Sequence, residues 1–443
     1  MIYATGVVAE YNPFHNGHLY QLQETQRLTQ QPVIVIMSAS FMQRGEPACL
    51  NKWLRARLAV ENGAALVLEL PTAFSLRSAQ FFASGAVQGL SATGCVNALA
   101  CGVESPERDF VALAQNITST ATQTHIKELL SQGKSYAVAC AEAIAETEPI
   151  ATTISPSILD STPLNKPNDI LALEYTKALL GTGIKPFFIQ RLGDGYNERS
   201  ISGSLASATA IRKALDSERK KWEQVYGYHP DSYNGGVSIN TSTRASWRQA
   251  VPANVRQSLL DGRPGYDVEL MWQLLRYRLR LLSPEEISER CQCSEGLENL
   301  LKQAAEATSF AQALQLCTNK RYTTSRIRRL FMQLLLDLPR WRWEDKSPAY
   351  LRVLAFDDTG RQLLKQMKTT ASLPIITGIF RNWRNRLQHM PLLQQQTYTQ
   401  QLDMELQATE LWSLLQLDPK LNRSGNDLLI SPNYVKQKDN FNT

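Results

Sequence analysis

One stretch near the start of the chain constrains the fold more than any other: residues 10–18 read Glu-Tyr-Asn-Pro-Phe-His-Asn-Gly-His. The residues before it, 2–9, form a short apolar run that is typical of a buried strand in a parallel sheet. The residues after it, 19–25, have helical spacing. A strand, a tight loop and a helix therefore follow one another within about 20 residues.

The loop between this strand and this helix suits a polyphosphate ligand. Pro13 marks the turn, and Gly17 lets a ligand approach the backbone closely. A helix that begins near Asn16 points free N–H groups and the positive end of its dipole at the loop. Because His15 and His18 lie on the same rim, the sequence predicts that both imidazoles face the ligand.

Other interpretations of this histidine pair exist, because H-x-x-H alone is a weak signal. Such pairs also occur at solvated helix starts and as metal ligands. The leading strand, the proline turn, the glycine and the following helix favour the phosphate interpretation. Zinc is disfavoured, since no Cys and no third His lies nearby in sequence.

Further segments predict the rest of the sheet and its helices. Buried strands are expected at residues 33–37, 66–70, 98–101 and 186–191, with a strand candidate at 351–356. Helices are expected at 52–62 and 75–90 and from residue 207, and Lys52 and Arg55 are expected to face outward. The fold class is therefore α/β, with a doubly wound, Rossmann-like parallel sheet and then a mainly helical C-terminal region.

The domain boundaries follow from shifts in composition. We predict a catalytic domain at 1–216, a linker or excursion at 217–263, a mainly helical domain at 264–420 and a loose tail at 421–443.

Several residues beyond the first loop are candidates for the same site. Gly102 follows a predicted strand, where it allows close approach of a ligand or simply makes a turn. Asn168 precedes an apolar-periodic helix, so an N-cap alone would explain it. Arg191 ends a strand, where it reaches a phosphate or is a surface arginine.

Bulk properties fit an intracellular enzyme. The 443 residues carry a formal net charge of +6, which mildly favours a polyanionic partner. The seven cysteines are scattered, and Cys291 and Cys293 have no second pair with which to form a zinc site, so reduced thiols are expected. The chain shows no basic segment before its first apolar run and no apolar span of membrane length, which predicts a cytoplasmic protein.

Segments in the first half of the chain resemble one family in order. The segment 12–18 resembles the H-x-G-H signature of nucleotidylyltransferases. Segments 40–48, 51–56, 69–71, 167–171 and 207–212 more specifically resemble the tRNA(Met) cytidine acetate ligase family. The resemblance implies an enzyme that uses ATP, with Mg²⁺ as its companion, to convert acetate into acetyl-adenylate. It then acetylates N4 of the wobble cytidine of elongator tRNA(Met).

The resemblance also implies roles for individual residues. The catalytic group, which stabilises the reacting phosphates from two sides, is His15, His18, Ser207, Thr209 and Arg212. The ATP-binding group is Val7, Val8, Ala9, Glu10, Tyr11, Asn12, Pro13, Phe14, His15, Asn16, Gly17, His18, Leu19, Tyr20, Gly102, Asn168 and Arg191. On residues alone, the segment 207–212 is a common helix start, with Ser207 as its cap.

The densest basic run of the chain lies at 320–329. Basic residues interleaved with Tyr and hydroxyl groups suit an RNA backbone, although a solvated helix face has the same composition. With the resemblance, we predict that tRNA is contacted by Lys320, Arg321, Arg326, Arg328 and Arg329. The alternatives are a small-molecule adenylyltransferase of the same superfamily and a non-catalytic RNA-binding protein.

Overall fold

The computed structural model describes most of the chain. The described residues are 1–134, 138–140, 142–143, 166–192, 204–226, 247–262, 264–291, 293, 296–319, 321–338, 347–378 and 390–436.

A mixed eight-stranded sheet forms the centre of the molecule, in the order β10-β8-β5-β2-β1-β6-β7 with β9 paired to β8. Its strands are β1 (Ala4–Ala9), β2 (Val33–Ser38), β5 (Leu66–Leu70), β6 (Val96–Val103), β7 (Lys185–Gln190), β8 (Leu351–Phe356), β9 (Ile375–Ile376) and β10 (Asn433–Tyr434). A separate hairpin pairs β3 (Phe41–Met42) with β4 (Glu46–Pro47). Strands β5, β2, β1, β6 and β7 are mutually parallel, so their carboxyl ends share one edge.

Helices cover both faces of this sheet. They are α1 (Asn16–Thr29), α2 (Lys52–Glu61), α3 (Thr72–Ser75), α4 (Ala79–Ser91), α5 (Phe110–Thr118), α6 (Thr120–Ser131), α7 (Pro167–Leu179), α8 (Ala208–Tyr226), α9 (Ala253–Asp261), α10 (Val268–Leu281), α11 (Pro284–Cys291), α12 (Leu297–Gln303), α13 (Phe310–Cys317), α14 (Thr324–Leu335), α15 (Asp358–Thr370), α16 (Leu392–Leu414) and α17 (Asn426–Leu429). Short 3₁₀ turns lie at Trp247–Gln249 and Ala304–Glu306.

Strand alternation explains the two layers of helices. In β2, Ile34 and Ile36 face a core cluster that includes α4 and α7, whereas Val33 and Val35 face a cluster that includes α1, α2 and α8. All six residues of β2 are buried, as expected for a parallel strand with both faces covered. The predicted doubly wound α/β class is confirmed.

The last quarter of the chain completes the same sheet. The strand candidate at 351–356 is confirmed as β8, which pairs antiparallel with β5 through Leu66 and Phe356. Strand β10 then pairs with β8. Residues 426–434 therefore differ from the loose tail expected there, because Asp427 is buried and the strand that follows it extends the sheet. The predicted domain boundaries stay predictions.

The expected outward orientation of Lys52 and Arg55 is wrong. Both side chains are buried, Lys52 against α16 and α17 and Arg55 against the main chain at the carboxyl ends of β1 and β2. The Lys52 ammonium is 2.7 Å from Glu69, 3.0 Å from Glu405 and 2.9 Å from Asp427. Glu405 and Asp427, more than 350 residues away in sequence, thus neutralise the Lys52 charge. The local sequence pattern predicts instead that this charge is exposed to solvent.

Two findings bear on the bulk predictions. All seven cysteines are free and buried. Among the described residues, no helix is both long enough and apolar enough to cross a membrane.

Candidate active site

The histidine pair lies just beyond the carboxyl end of β1. His15 is the N-cap of α1, and its ring stacks on that of His18 with centroids 3.6 Å apart. The His15 Nδ1 accepts a hydrogen bond from the Gly17 N–H at 3.1 Å, and the His18 Nδ1 accepts one from the His15 N–H at 3.3 Å. Each neutral ring therefore carries its proton on Nε2, which leaves two N–H donors for a ligand.

Both imidazoles are held neutral. Burial, with smaller contributions from the positive charges of Arg191 and Arg212, lowers the pKa of His15 to about 3. Burial likewise lowers the pKa of His18, assisted by His15 and Arg191. The ring of Tyr11 packs edge-on against that of His18, with centroids 4.9 Å apart, which contributes to this burial. The neutral pair can therefore donate hydrogen bonds through Nε2 but carries no full charge.

The helix N-terminus differs from the free N–H groups expected there. The Asn16 N–H donates to the Ala250 carbonyl at 2.9 Å, and the Gly17 N–H is taken by His15. Histidine is not among the preferred N-cap residues, so this cap was not evident from sequence. Imidazole N–H groups thus take the place that backbone N–H groups were predicted to fill.

The other residues predicted in the 7–20 segment follow the strand, loop and helix in order. Val7 and Ala9 are buried in β1 beside the half-buried Val8, and Leu19 and Tyr20 lie half-buried in the first turns of α1. Phe14 is buried in the core, and the Asn12–Pro13 peptide bond is cis.

Arg191 and Gly102 meet at the same edge of the sheet. The Arg191 N–H donates to the Val103 carbonyl at 3.0 Å, directly after β7. A Cβ atom built on Gly102 would lie 3.1 Å from the Arg191 Cγ. The absence of a side chain at 102 therefore gives the arginine its place beside the imidazole pair, whose pKa values it lowers.

Asn168 is not the N-cap that local sequence suggested. Helix α7 begins at Pro167 and Lys166 is its N-cap, since proline is well suited to the first helical position. The Asn168 side-chain amide instead donates to the Glu104 carboxylate at 2.7 Å. Because Glu104 follows β6, Asn168 also lies at the carboxyl edge.

The second predicted segment, 207–212, lies against the first. The Ser207 hydroxyl accepts from the Ala210 N–H at 3.2 Å, so the predicted cap is confirmed, and Thr209 is half-buried in the first turn of α8. The Arg212 guanidinium donates to the Asn12 carbonyl at 2.6 Å. The Asn16 side chain donates to the Ser204 carbonyl at 2.8 Å. The two segments, about 190 residues apart in sequence, therefore face one cleft.

Glu46 was not identified from sequence, yet it connects this cleft to the basic run. Its carboxylate pairs with Arg212 at 2.5 Å and lies 3.9 Å from Arg328 of α14. Gly45 has a φ of +75°, and a side chain there would collide with the backbone between Arg328 and Arg329. In the sequence, only the glycine at position 45 of a polar loop indicated a close backbone contact. The sequence did not indicate that this contact is with α14.

Arg55 was also missed as part of the site. Its buried guanidinium donates to the Glu10 carbonyl at 2.6 Å and the Ser38 carbonyl at 3.0 Å, and also to the Ala39 carbonyl. These acceptors lie at the carboxyl ends of β1 and β2. Arg55 thereby fixes the two loops that frame the cleft.

The structure divides the predicted RNA-contacting residues into two groups. Arg321 and Arg326 are exposed, and their guanidinium groups lie 5.7 Å and 5.1 Å from the centre of the Tyr322 ring. Arg328 and Arg329 are half-buried against residues 43–46. Lys320 lies outside the described residues.

The arrangement is suited to polyphosphate chemistry. Two neutral imidazole donors and two guanidinium groups lie around one cleft at the carboxyl edge, where doubly wound sheets bind nucleotides. Within the described ranges, no group of three or more His, Cys, Asp or Glu side chains could hold a metal ion.

Comparisons with known proteins agree with this geometry. Residues 2–427 match the family model described as HIGH Nucleotidyl Transferase. The tRNA(Met) cytidine acetate ligase of Acetivibrio thermocellus is 32% identical over 95% of this chain and 97% of its own length. That of Halothermothrix orenii is 31% identical over 96% of this chain and 98% of its own length.

Solved structures of Thermotoga maritima TmcAL give the same result. The form bound with alpha-thio ATP has a TM-score of 0.83 and 31% identity, covering 98% of this chain and 100% of that chain. The apo form has a TM-score of 0.85 with the same coverage. The chain therefore belongs to the tRNA(Met) cytidine acetate ligase family of HIGH nucleotidyl transferases.

Proposed function

We propose that this protein is an ATP-dependent ligase that activates acetate as acetyl-adenylate and acetylates N4 of the wobble cytidine of elongator tRNA(Met). The names of its relatives and the ATP analogue in the Thermotoga maritima structure support the choice of ATP and tRNA(Met). Acetate and the cytidine amine are the substrates that these names imply.

The observation that carries the proposal is the meeting of two distant segments at one cleft. Arg212 donates to the Asn12 carbonyl at 2.6 Å, three residues before His15. Ser207 caps the same helix, and the Asn16 side chain joins the two segments by donating to the Ser204 carbonyl at 2.8 Å. A triphosphate placed between them would have donors on both sides, as transfer of an adenylyl group requires.

The first half-reaction needs charge stabilisation and no covalent nucleophile. An acetate oxygen attacks the α-phosphorus, and pyrophosphate leaves with the electrons of the broken P–O bond. The Nε2–H groups of His15 and His18 and the Arg212 guanidinium would donate to the phosphate oxygens on which charge grows. Gly102, Asn168 and Arg191 would complete the nucleoside side of the cleft.

Mg²⁺ is the expected companion of the triphosphate. The phosphate oxygens and water supply the hard oxygen ligands that this ion prefers. The imidazole and guanidinium side chains of the cleft are N–H donors, which suit the phosphate oxygens.

Exposed Arg321 and Arg326 are the proposed first contacts for tRNA. Their exposed side chains lie beside the buried ring of Tyr322 at the start of α14. Guanidinium groups neutralise phosphates, and their exposed planes can stack on single-stranded bases such as those of an anticodon loop. Arg328, through Glu46, would link this surface to the clamp residue Arg212.

The test is incubation of the pure protein with ATP, ¹⁴C-acetate and elongator tRNA(Met). We expect label in the tRNA together with AMP and pyrophosphate. His18→Ala should lower both ATP–pyrophosphate exchange and tRNA labelling by at least about 100-fold, the usual cost of a lost electrostatic donor. His125→Ala, on α6, is the matched control and should retain activity.

Two outcomes would contradict the proposal. Transfer of AMP to another small molecule with unchanged RNA would indicate an adenylyltransferase. RNA binding without ATP consumption, unaffected by His18→Ala, would indicate a non-catalytic binding protein.

The tRNA surface is tested by the double variant Arg321→Gln and Arg326→Gln. We expect a higher KM for tRNA and a shallower dependence on salt, while ATP–pyrophosphate exchange stays near wild type. The control is the double variant Arg256→Gln and Lys365→Gln, which removes the same charge from other exposed positions. Equal loss of tRNA affinity in both variants would reject a specific surface at α14.

A further inference from the structure

Glu10 occupies the junction between the nucleotide cleft and the basic helix. It follows the last residue of β1, and its Oε1 accepts from the Gln43 N–H at 2.6 Å. The Gln43 carbonyl in turn accepts from Arg329 of α14 at 3.5 Å. The carboxyl group therefore lies where the loop that carries the imidazoles meets the segment on which α14 rests.

Two carboxyl groups near this junction have different environments. Glu46 is ion-paired with Arg212. Glu10 is bonded instead to a backbone N–H, and burial raises its pKa, as does the negative charge of Glu46. The hydrogen bond from the Gln43 N–H and the charges of Arg212 and Arg44 oppose this rise, and Arg55 contacts only the Glu10 carbonyl. Glu10 therefore binds a proton more readily than an ordinary glutamate.

The second half-reaction requires a proton acceptor. The N4 amine attacks the acetyl carbonyl carbon, a C–N bond forms, and AMP leaves with the electrons of the broken C–O bond. The amide nitrogen of the product has one proton fewer than the attacking amine. Because the lone pair of this exocyclic amine is conjugated with the ring, a base that removes the proton speeds the attack.

The two imidazoles do not supply this acceptor. In His15 and His18, Nδ1 already accepts a backbone hydrogen bond and Nε2 carries the proton. Burial lowers the pKa of both rings, which makes them poor bases. The base must therefore come from another group at the cleft.

We propose that the Glu10 carboxylate is the general base that takes the N4 proton of the tRNA cytidine during acetyl transfer. This inference rests on the proposed function. The carboxylate becomes a carboxylic acid in the step and returns its proton to water after AMP and acetylated tRNA leave. In this assignment, α14 brings the nucleotide to the junction at which Glu10 lies.

The test separates the two half-reactions in Glu10→Gln. The glutamine Oε1 can still accept from the Gln43 N–H, so the isosteric change keeps this contact and removes the base. We expect the single-turnover rate of acetyl transfer to tRNA to fall by about 10²-fold or more. Any fall in the rate of acetate-dependent ATP–pyrophosphate exchange should be smaller by that factor. Thermal unfolding of both proteins verifies the fold.

The pH profile provides a second readout. In the wild type, the transfer rate should rise with pH through the raised pKa of Glu10 and then level off, because only the carboxylate accepts a proton. Glu10→Gln should lose this rise, and Glu10→Asp should regain part of the rate with the rise preserved. Glu46→Gln is the contrasting variant. It removes the ion pair that positions Arg212, so the rate of ATP–pyrophosphate exchange itself should fall.

Three results would overturn the assignment. An equal loss of exchange and transfer in Glu10→Gln would give the residue a role in nucleotide binding alone. Unchanged transfer would mean that another group takes the proton. Absence of acetate-dependent exchange in the wild type would reject the proposed function as well, which distinguishes the two failures.

Discussion

Replacing Lys52 by methionine tests the buried cluster that joins the two halves of the chain. The ammonium lies 2.7 Å, 3.0 Å and 2.9 Å from Glu69, Glu405 and Asp427, and all four side chains are at most 1% exposed. Methionine has nearly the same length and no charge. The variant leaves Arg352, 2.5 Å from Asp427, as the cation that remains among these groups.

The expected loss follows from the charge balance. Two cations face three carboxyl groups, and burial raises the pKa of Glu69 to about 7, so below neutral pH the cluster is close to neutral. Removing one partner of a buried pair typically costs about 3–5 kcal/mol of unfolding free energy. The three contacts share one ammonium, so this cost is counted once.

The measurement is urea unfolding followed by tryptophan fluorescence. Arg57→Met on the same helix removes an exposed pair with Glu61 and should cost less than about 1 kcal/mol. Because the carboxyl groups left in Lys52→Met take up protons more readily, the loss should be larger at pH 8 than at pH 6. A loss below about 1 kcal/mol, or one independent of pH, would refute the reasoning.

Two further predictions concern other positions. Gly102→Val should displace Arg191, whose Cγ would lie 3.1 Å from the new Cβ, and should raise the KM for ATP several-fold. Gly378→Val, where the added Cβ meets open space, should leave this KM unchanged; equal effects would contradict the contact. Because Glu69 holds its proton more tightly in the folded state, it should lower stability as pH rises from about 5 to 8, by an amount on the order of 1–3 kcal/mol. In urea titrations at several pH values, Glu69→Gln should reduce the dependence of stability on pH. An unchanged dependence would mean that other groups cause it.

Much of the sheet was predictable because its strands are locally distinctive. β2 and β5 are short, mainly apolar runs, and their predicted limits agree with the structure to within one residue. The pairing of β8 was not predictable, since its neighbour β5 lies more than 280 residues earlier. Composition identifies a strand, whereas its place in a sheet depends on contacts that no local window contains.

The site shows the same division. The histidine pair and the segment 207–212 were identifiable from motifs, and the structure places them together. Glu46 and Arg55 were not, because each works through partners supplied by other elements. Asn168 was misassigned as a cap because Pro167, one residue earlier, starts the helix. Motifs thus indicated the candidate catalytic residues, but not the residues that position them.

The antiparallel strand β8 has a consequence for synthesis of the protein. Until residue 356 has left the ribosome, the backbone groups along one side of β5 have no partner. A fragment that ends at residue 216 would expose this apolar, unpaired edge and would be prone to aggregate. The nascent chain therefore holds all of its H-x-G-H machinery early, yet β5 gains its second neighbouring strand only after about four-fifths of these 443 residues have been made.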